Sequence, residues 1–145
     1  MAYKYKQGKY VPRFPEKYRG DANKIIFRSG LEKKFFHHFD TRKNILEWAS
    51  EEFFIMYDGP DCKQHRYFVD VWVKVKTKDG HTKEFIIEIK PFEQTRPPKK
   101  PSRITKAYKR KVAEYLVNKA KWDAAEKFAE KNNIQFTIMT ERDIK

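Results

Sequence analysis

The residues from Glu84 through Phe85, Ile86, Ile87, Glu88 and Ile89 to Lys90 read as part of a strand over residues 83–90. Side chains two apart in a strand share a face, so Glu88 and Lys90 point the same way, following Ile86. An earlier stretch, residues 67–75, alternates: Tyr67, Val69, Val71, Val73 and Val75 on one face, Phe68, Asp70, Trp72 and Lys74 on the other. Asp79-Gly80 between the two stretches is a hairpin signal, and direct pairing would carry Asp70 towards Glu88 across the ladder. Two acids and an amine gathered there suit hydrolysis of a phosphodiester. Hard oxygen ligands hold Mg²⁺, which neutralises phosphate charge and acidifies a bound water. The lysine orients that water or stabilises the charge of the pentavalent phosphorane. The same residues could instead form an ordinary cross-strand ion pair on a solvated face, since E-x-K after an alternating strand often arises by chance.

Glu32 adds a third acid. Stepping about 100° per residue from Leu31, the apolar arc of a helix through Phe35, Phe36 and Phe39 also contains Glu32. A carboxylate on the core side of a helix must be paired or must bind a metal. Its other reading is local: Ser29-x-x-Glu32 has the form of a capping box, with the glutamate bonding back to the Ser29 backbone. His37 faces away from the apolar stripe and His38 lies at its edge, so neither is taken as a ligand. Cys62 sits in a polar turn without a neighbouring base, which argues against a nucleophilic thiol.

A basic run follows the E-x-K strand. Arg96, Lys99, Lys100, Arg103, Lys106, Lys109, Arg110 and Lys111 occur between residues 96 and 111 with no acid among them. A merely solvated face usually mixes signs, so this stretch is expected to grip the DNA backbone. The net charge of +13 points the same way, towards an anionic partner. No apolar run approaches the roughly 18 residues needed to span a bilayer, and no apolar segment follows the N-terminal basic residues as a signal peptide would require. One cysteine cannot form an internal disulfide, and zinc-type Cys/His spacing is absent. The expectation is a soluble protein of a reducing, intracellular compartment, with no membrane partner.

These groups need a scaffold. Residues 1–20 read as a basic arm, with Lys4, Lys6, Lys9, Arg13, Lys17 and Arg19 against Glu16, and Pro12 and Pro15 as helix breakers. Residues 21–145 form one domain, with 12 Phe, 8 Tyr and 3 Trp to fill its core. A helix follows Ser29; strands are expected over residues 52–57, 67–75 and 83–90. Pro91, Pro97, Pro98 and Pro101 hold an extended loop. Two amphipathic helices follow, one marked by Tyr108, Val112, Tyr115 and Leu116, the other by Trp122, Ala125, Phe128 and Ala129. Residues 134–139 give a last strand. Helix, three antiparallel strands, two helices and a strand make an α/β sandwich, a mixed central sheet flanked by helices on both faces.

Longer motifs carry a resemblance. Tyr18-Arg19-Gly20-Asp21, Arg28-Ser29-x-x-Glu32 and Arg66-Tyr67-Phe68-x-Asp70-x-Trp72 are followed by Ile87-Glu88-Ile89-Lys90-Pro91, Thr95-Arg96-Pro97-Pro98, Lys121-Trp122-x-Ala124-Ala125 and Thr140-Glu141. With these, the chain from Tyr18 onward resembles the head completion nucleases of myovirus-type tailed phages, a TnsA-like branch of the PD-(D/E)xK superfamily. The resemblance implies a restriction-endonuclease-like fold, with Glu32, Asp70, Glu88 and Lys90 catalytic and Glu32, Asp70 and Glu88 as metal ligands. Val69 stands where the name-giving proline would be, and Glu88 where the transposon-end nuclease carries glutamine. Mg²⁺ is the expected cofactor, with Mn²⁺ able to substitute, and double-stranded DNA the expected partner. Contacts with portal, neck or head proteins, and a place in the host cytoplasm during assembly and in the virion head or neck, are implied by resemblance alone. The competing class is a structural head or neck protein that keeps the nuclease fold but cuts little.

Overall fold

A computed structural model describes residues 7–144, so Lys4 and Lys6 of the expected arm lie outside the described residues. Two short strands, β1 (Gly8–Lys9) and β2 (Ile26–Phe27), pair with each other before helix α1 (Gly30–Thr41). Then come β3 (Ile45–Ser50), β4 (Phe54–Asp58), β5 (Gln64–Phe68), β6 (Val71–Lys76), β7 (Thr82–Ile89), helix α2 (Lys106–Lys131) and β8 (Gln135–Met139). The central sheet runs β3-β6-β7-β8, antiparallel except where β8 joins β7 in parallel, while β4 and β5 form a separate hairpin. A mixed sheet between two helices is the α/β architecture read from the sequence.

The sheet separates two cores. On one face Phe35, Phe36 and Phe39 of α1 meet Trp48, Val71, Val73, Ile87 and Ile89. Trp48 is fully buried, with the Phe36 and Phe39 ring centroids 5.2 and 6.3 Å from its own. Each such ring contributes roughly 1.5–3 kcal/mol on burial. On the other face Ala125 and Ala129 of α2 cover Ile55, Tyr57, Tyr67, Val69 and Ile86. Strand β7 is therefore buried on both faces at its end, which is why it reads as a continuous apolar run.

Three expectations are corrected. The expected strand over 67–75 is broken at Val69 and Asp70: β5 belongs to the hairpin and β6 to the central sheet. Its odd-numbered residues are inward-facing as expected, but Tyr67 and Val69 enter the α2 core and Val71 and Val73 the α1 core. Strand β3 went unread because its alternation is interrupted; a register shift between Ile45 and Glu47 leaves the burial irregular. The two helices are one helix, since nothing between Leu116 and Trp122 breaks it. Only its second half docks: Trp122, Ala125 and Ala129 are buried, whereas Leu116 is 50% exposed.

From Gln7 onward the expected arm is a strap bound to the domain. Tyr10 and Tyr18 are buried beside Trp48. Asp40, with no exposed surface, accepts hydrogen bonds from the Tyr10 hydroxyl (2.8 Å) and the backbone N–H groups of Arg13 (2.6 Å) and Phe14 (3.0 Å). Lys17 Nζ donates to the carbonyls of Phe39, Asp40 and Arg42, closing the C-terminus of α1 where a cation is favoured. Asp40→Ala strands the buried Tyr10 hydroxyl and two part-buried backbone donors, and is expected to cost about 2–4 kcal/mol. Chemical denaturation checks this, and a loss under about 1 kcal/mol would refute the role given to Asp40.

Candidate active site

Strand β6 reaches the ladder with β7 as far as Val71 opposite Ile87, so Asp70 stands one step beyond, against Glu88. Strand β7 continues for two residues with only β8 beside it, through Ile89 opposite Met139. The Ile89 N–H left without a strand on the β6 side donates to Asp70 Oδ2 at 2.8 Å. Asp70 is thereby pinned to the E-x-K strand by its own side chain. Its carbonyl accepts from the Glu51 N–H at 3.2 Å, holding the end of β3 to the same point.

Glu88 points to the α2 face, as Ile86 does, and is 4% exposed. Its Oε2 accepts a hydrogen bond from the Tyr67 hydroxyl, and its Oε1 lies 3.8 Å from Lys90 Nζ. Pro91 ends the strand, and the Lys90 N–H is tied to the Met139 carbonyl at 3.0 Å. Lys121 of α2 sits over the Tyr57 and Tyr67 rings, 5.9 and 5.6 Å from their centroids, and its charge favours the ionised form of Glu88. The buried Trp122 indole N–H also favours that form from nearby but makes no hydrogen bond of normal geometry.

Glu32 lies in the first turn of α1, within electrostatic reach of Glu88. Its N–H donates to Ser29 Oγ at 3.1 Å, so the cap read from the sequence forms. The return bond differs from a capping box: Glu32 Oε2 accepts from the Arg28 N–H (2.5 Å) rather than from Ser29. Arg28 in turn forks onto Glu51, with Nε and Nη2 at 3.1 and 3.0 Å from its two carboxylate oxygens.

Electrostatics marks these acids as one group. Burial, then the charge of Glu88, pushes the Asp70 carboxyl well above its ordinary range, and Glu32 adds to the shift. Asp70 keeps some exposed surface as a residue, but its carboxylate is deep enough for burial to dominate. Burial likewise raises Glu88 against the pull of Tyr67, Lys90 and Lys121, and raises Glu32, helped by Glu51. Among the described residues no three His, Cys, Asp or Glu side chains are already closed around a single cation position. Carboxylate oxygens are the donor type that a hard divalent ion takes, and burial raises all three of these acids, with mutual charge adding to the shift at Asp70 and Glu32.

Of the sequence-derived site residues, Asp70, Glu88 and Lys90 thus meet at the end of β7, with Glu32 in electrostatic reach, and the structure adds Tyr67, Lys121, Arg28 and Glu51. His37 is exposed and His38 half-buried, its pKa lowered by burial; Cys62 is exposed in its turn. The basic residues Arg96, Lys99, Lys100, Arg103, Lys106, Lys109, Arg110 and Lys111 are all exposed, along a proline-rich loop and the undocked first turns of α2. Arg96, Lys99 and Lys111 line a groove of about 720 Å³ with Tyr108 and Tyr115. Its loop is anchored where the Phe92 N–H meets the Glu141 carboxylate and the Arg142 guanidinium covers the Phe92 ring at 3.5 Å.

Compared with known proteins, residues 42–141 match the family described as "TnsA-like endonuclease N terminal". The chain belongs to the TnsA-like endonuclease family. Over 146 aligned positions it is 44% identical to the "Head completion nuclease" of Enterobacteria phage T4, covering 97% of this chain and 93% of that protein. No solved structure matches it. Of the acids in this TnsA-like site, Glu51, Asp70 and Glu88 fall inside the family match and Glu32 before it.

A carboxyl whose folded pKa is raised contributes its full stability below the unfolded value of about 3.8 and loses it as pH climbs through the folded value. Without divalent metal, ionising Asp70 beside Glu88 therefore costs stability as pH rises. Asp70→Asn keeps the acceptor for Ile89 and removes the charge, so in EDTA at pH 7 it should melt above wild type. A gain of about 1 kcal/mol would appear as roughly 2–4 °C, and the advantage should vanish towards pH 4. A lower melting temperature than wild type at pH 7 contradicts the charge assignment.

Proposed function

We propose that this chain is a metal-dependent DNA endonuclease acting in phage head completion. The observation carrying the reading is the meeting of Asp70, Glu88 and Lys90 at the end of β7 in a member of an endonuclease family. Asp70 and Glu88, with Glu32, are the residues that would hold Mg²⁺ or Mn²⁺. The bound cation supplies phosphate neutralisation and a water of lowered pKa. Lys90, 27% exposed and beside Glu88, presents an ammonium at the reacting phosphate, where it orients the attacking water and offsets charge developing on the phosphorane. Tyr67 orients Glu88, and Lys121 favours its ionised form against the opposing effect of burial. The nuclease role in head completion follows the name of the similar phage T4 protein.

The exposed basic run supplies the grip on duplex DNA. The first turn of α2 carries no acid but Lys106 and Lys109, although a helix N-terminus favours negative charge. Phosphates docked there would relieve that conflict. The groove lined by Arg96, Lys99 and Lys111 lies along the same segment.

Plasmid nicking with Mg²⁺ or Mn²⁺ tests the activity, and EDTA should abolish it. Asp70→Ala and Lys90→Ala are each expected to lower the rate by about 100-fold or more. Cleavage within tenfold of wild type in both variants would sink the assignment. Wild-type protein that never cuts yet enters phage heads would favour the structural class instead.

Neutralising Lys106, Lys109, Arg110 and Lys111 together should weaken binding to every duplex about equally. Each lost phosphate contact should flatten the slope of log affinity against log salt by about 0.9. An unchanged slope removes this segment from the DNA interface.

A further inference from the structure

We propose that Arg28, held in place by Glu51, is a phosphate-binding residue of the cleavage site, taking a non-bridging oxygen of the scissile phosphate. The inference rests on the endonuclease reading above.

Arg28 follows β2 and directly precedes the N-cap of α1, so its backbone and side chain serve different partners. Its N–H holds Glu32 Oε2 at 2.5 Å, while its guanidinium is shared electrostatically among Glu51, Glu32 and Asp70. Glu51 takes the Nε and Nη2 edge of the fork. A guanidinium carries five N–H donors, so among the described residues the Nη1 pair and one on Nη2 remain to be used. The side chain is 55% exposed, at the mouth of the acidic cluster rather than within it. A phosphodiester approaching these carboxylates meets repulsion, and a planar cation with free parallel donors is the group that matches phosphate geometry.

A purely structural role explains the arrangement poorly. An ion pair this exposed stabilises a fold by at most about 1 kcal/mol. Meanwhile Glu51 adopts φ +52°, the left-handed region that suits glycine and strains other residues by on the order of 1 kcal/mol. The strained backbone gives the residue a fixed address: its N–H binds the Asp70 carbonyl while its carboxylate aims Arg28. Local strain without a matching gain in stability, set beside the reacting groups, points to function. Arg28 contacts substrate; Glu51 acts through it as a positioning residue.

The test uses the full chain, a labelled 30-base-pair duplex and single-turnover cleavage with Mg²⁺, with binding measured separately in EDTA. Arg28→Ala should slow cleavage about 100-fold while duplex affinity stays within threefold, because the basic run carries most of the binding. Arg28→Lys should recover part of the rate, since it restores charge without the fork. Glu51→Gln should slow cleavage about tenfold, and Arg28→Ala combined with Glu51→Gln should be no slower than Arg28→Ala alone. Glu51→Gly should keep or raise the melting temperature and still lose rate, a pairing that a structural residue would not give. If Arg28→Ala fails to fold, Arg28→Lys and Glu51→Gln decide by the same measures. Rates within threefold of wild type in the Arg28 and Glu51 variants, alongside an inactive Asp70→Ala, would overturn this inference and leave the nuclease reading standing. Absence of cleavage by wild type would overturn both.

Discussion

The Ile89 N–H has no strand to bond on the side where β6 stops, and Asp70 answers it with a carboxylate oxygen. A buried, unpaired backbone donor costs on the order of 1–3 kcal/mol, so this bond is a structural requirement as well as a feature of the site. Satisfying it demands that the chain leave the ladder at Asp70, which is where β5 and β6 part into different sheets. The parting lets Tyr67 face the α2 core and reach Glu88, while Val71 returns to the α1 core. One backbone discontinuity therefore brings Asp70, Glu88 and Tyr67 together.

Much of the scaffold was legible because burial follows period. The arc Leu31, Phe35, Phe36 and Phe39 located α1, and the apolar run ending in Ile89 located β7. The shared face of Glu88 and Lys90 needed nothing but strand geometry. The break at Asp70 did not disturb the alternation of buried residues, so the sequence read straight across it. Periodicity reports whether a side chain is inward, not which of two cores it enters. Strand β3 was hidden for the opposite reason, since its bulge spoils an alternation that the fold nonetheless uses.

The remaining site residues were hidden by their isolation. Glu51 follows β3 with no motif around it, and its left-handed backbone is invisible in composition. Arg28 was noticed only within the Ser29 and Glu32 motif, where its side chain had no assigned partner. Lys121 and Trp122 lie on a helix more than 30 residues from Glu88 in the sequence, and only the parallel return of β8 explains why α2 crosses that face. Charge was easier to read than geometry. The run from Arg96 to Lys111 is exposed along its length, as a sequence without acids suggests.

The bond from the Lys90 N–H to the Met139 carbonyl has a temporal meaning. Nearly fifty residues separate the two, including the whole of α2, and β8 cannot pair with β7 until that helix has been synthesised and laid across the sheet. A chain still growing on the ribosome holds Asp70, Glu88 and Lys90 in sequence but lacks the neighbouring strand that anchors the lysine. The site consequently matures last, once residue 139 has emerged and folded back. A fragment that stops short of β8 lacks the strand that fixes the Lys90 backbone at the end of β7.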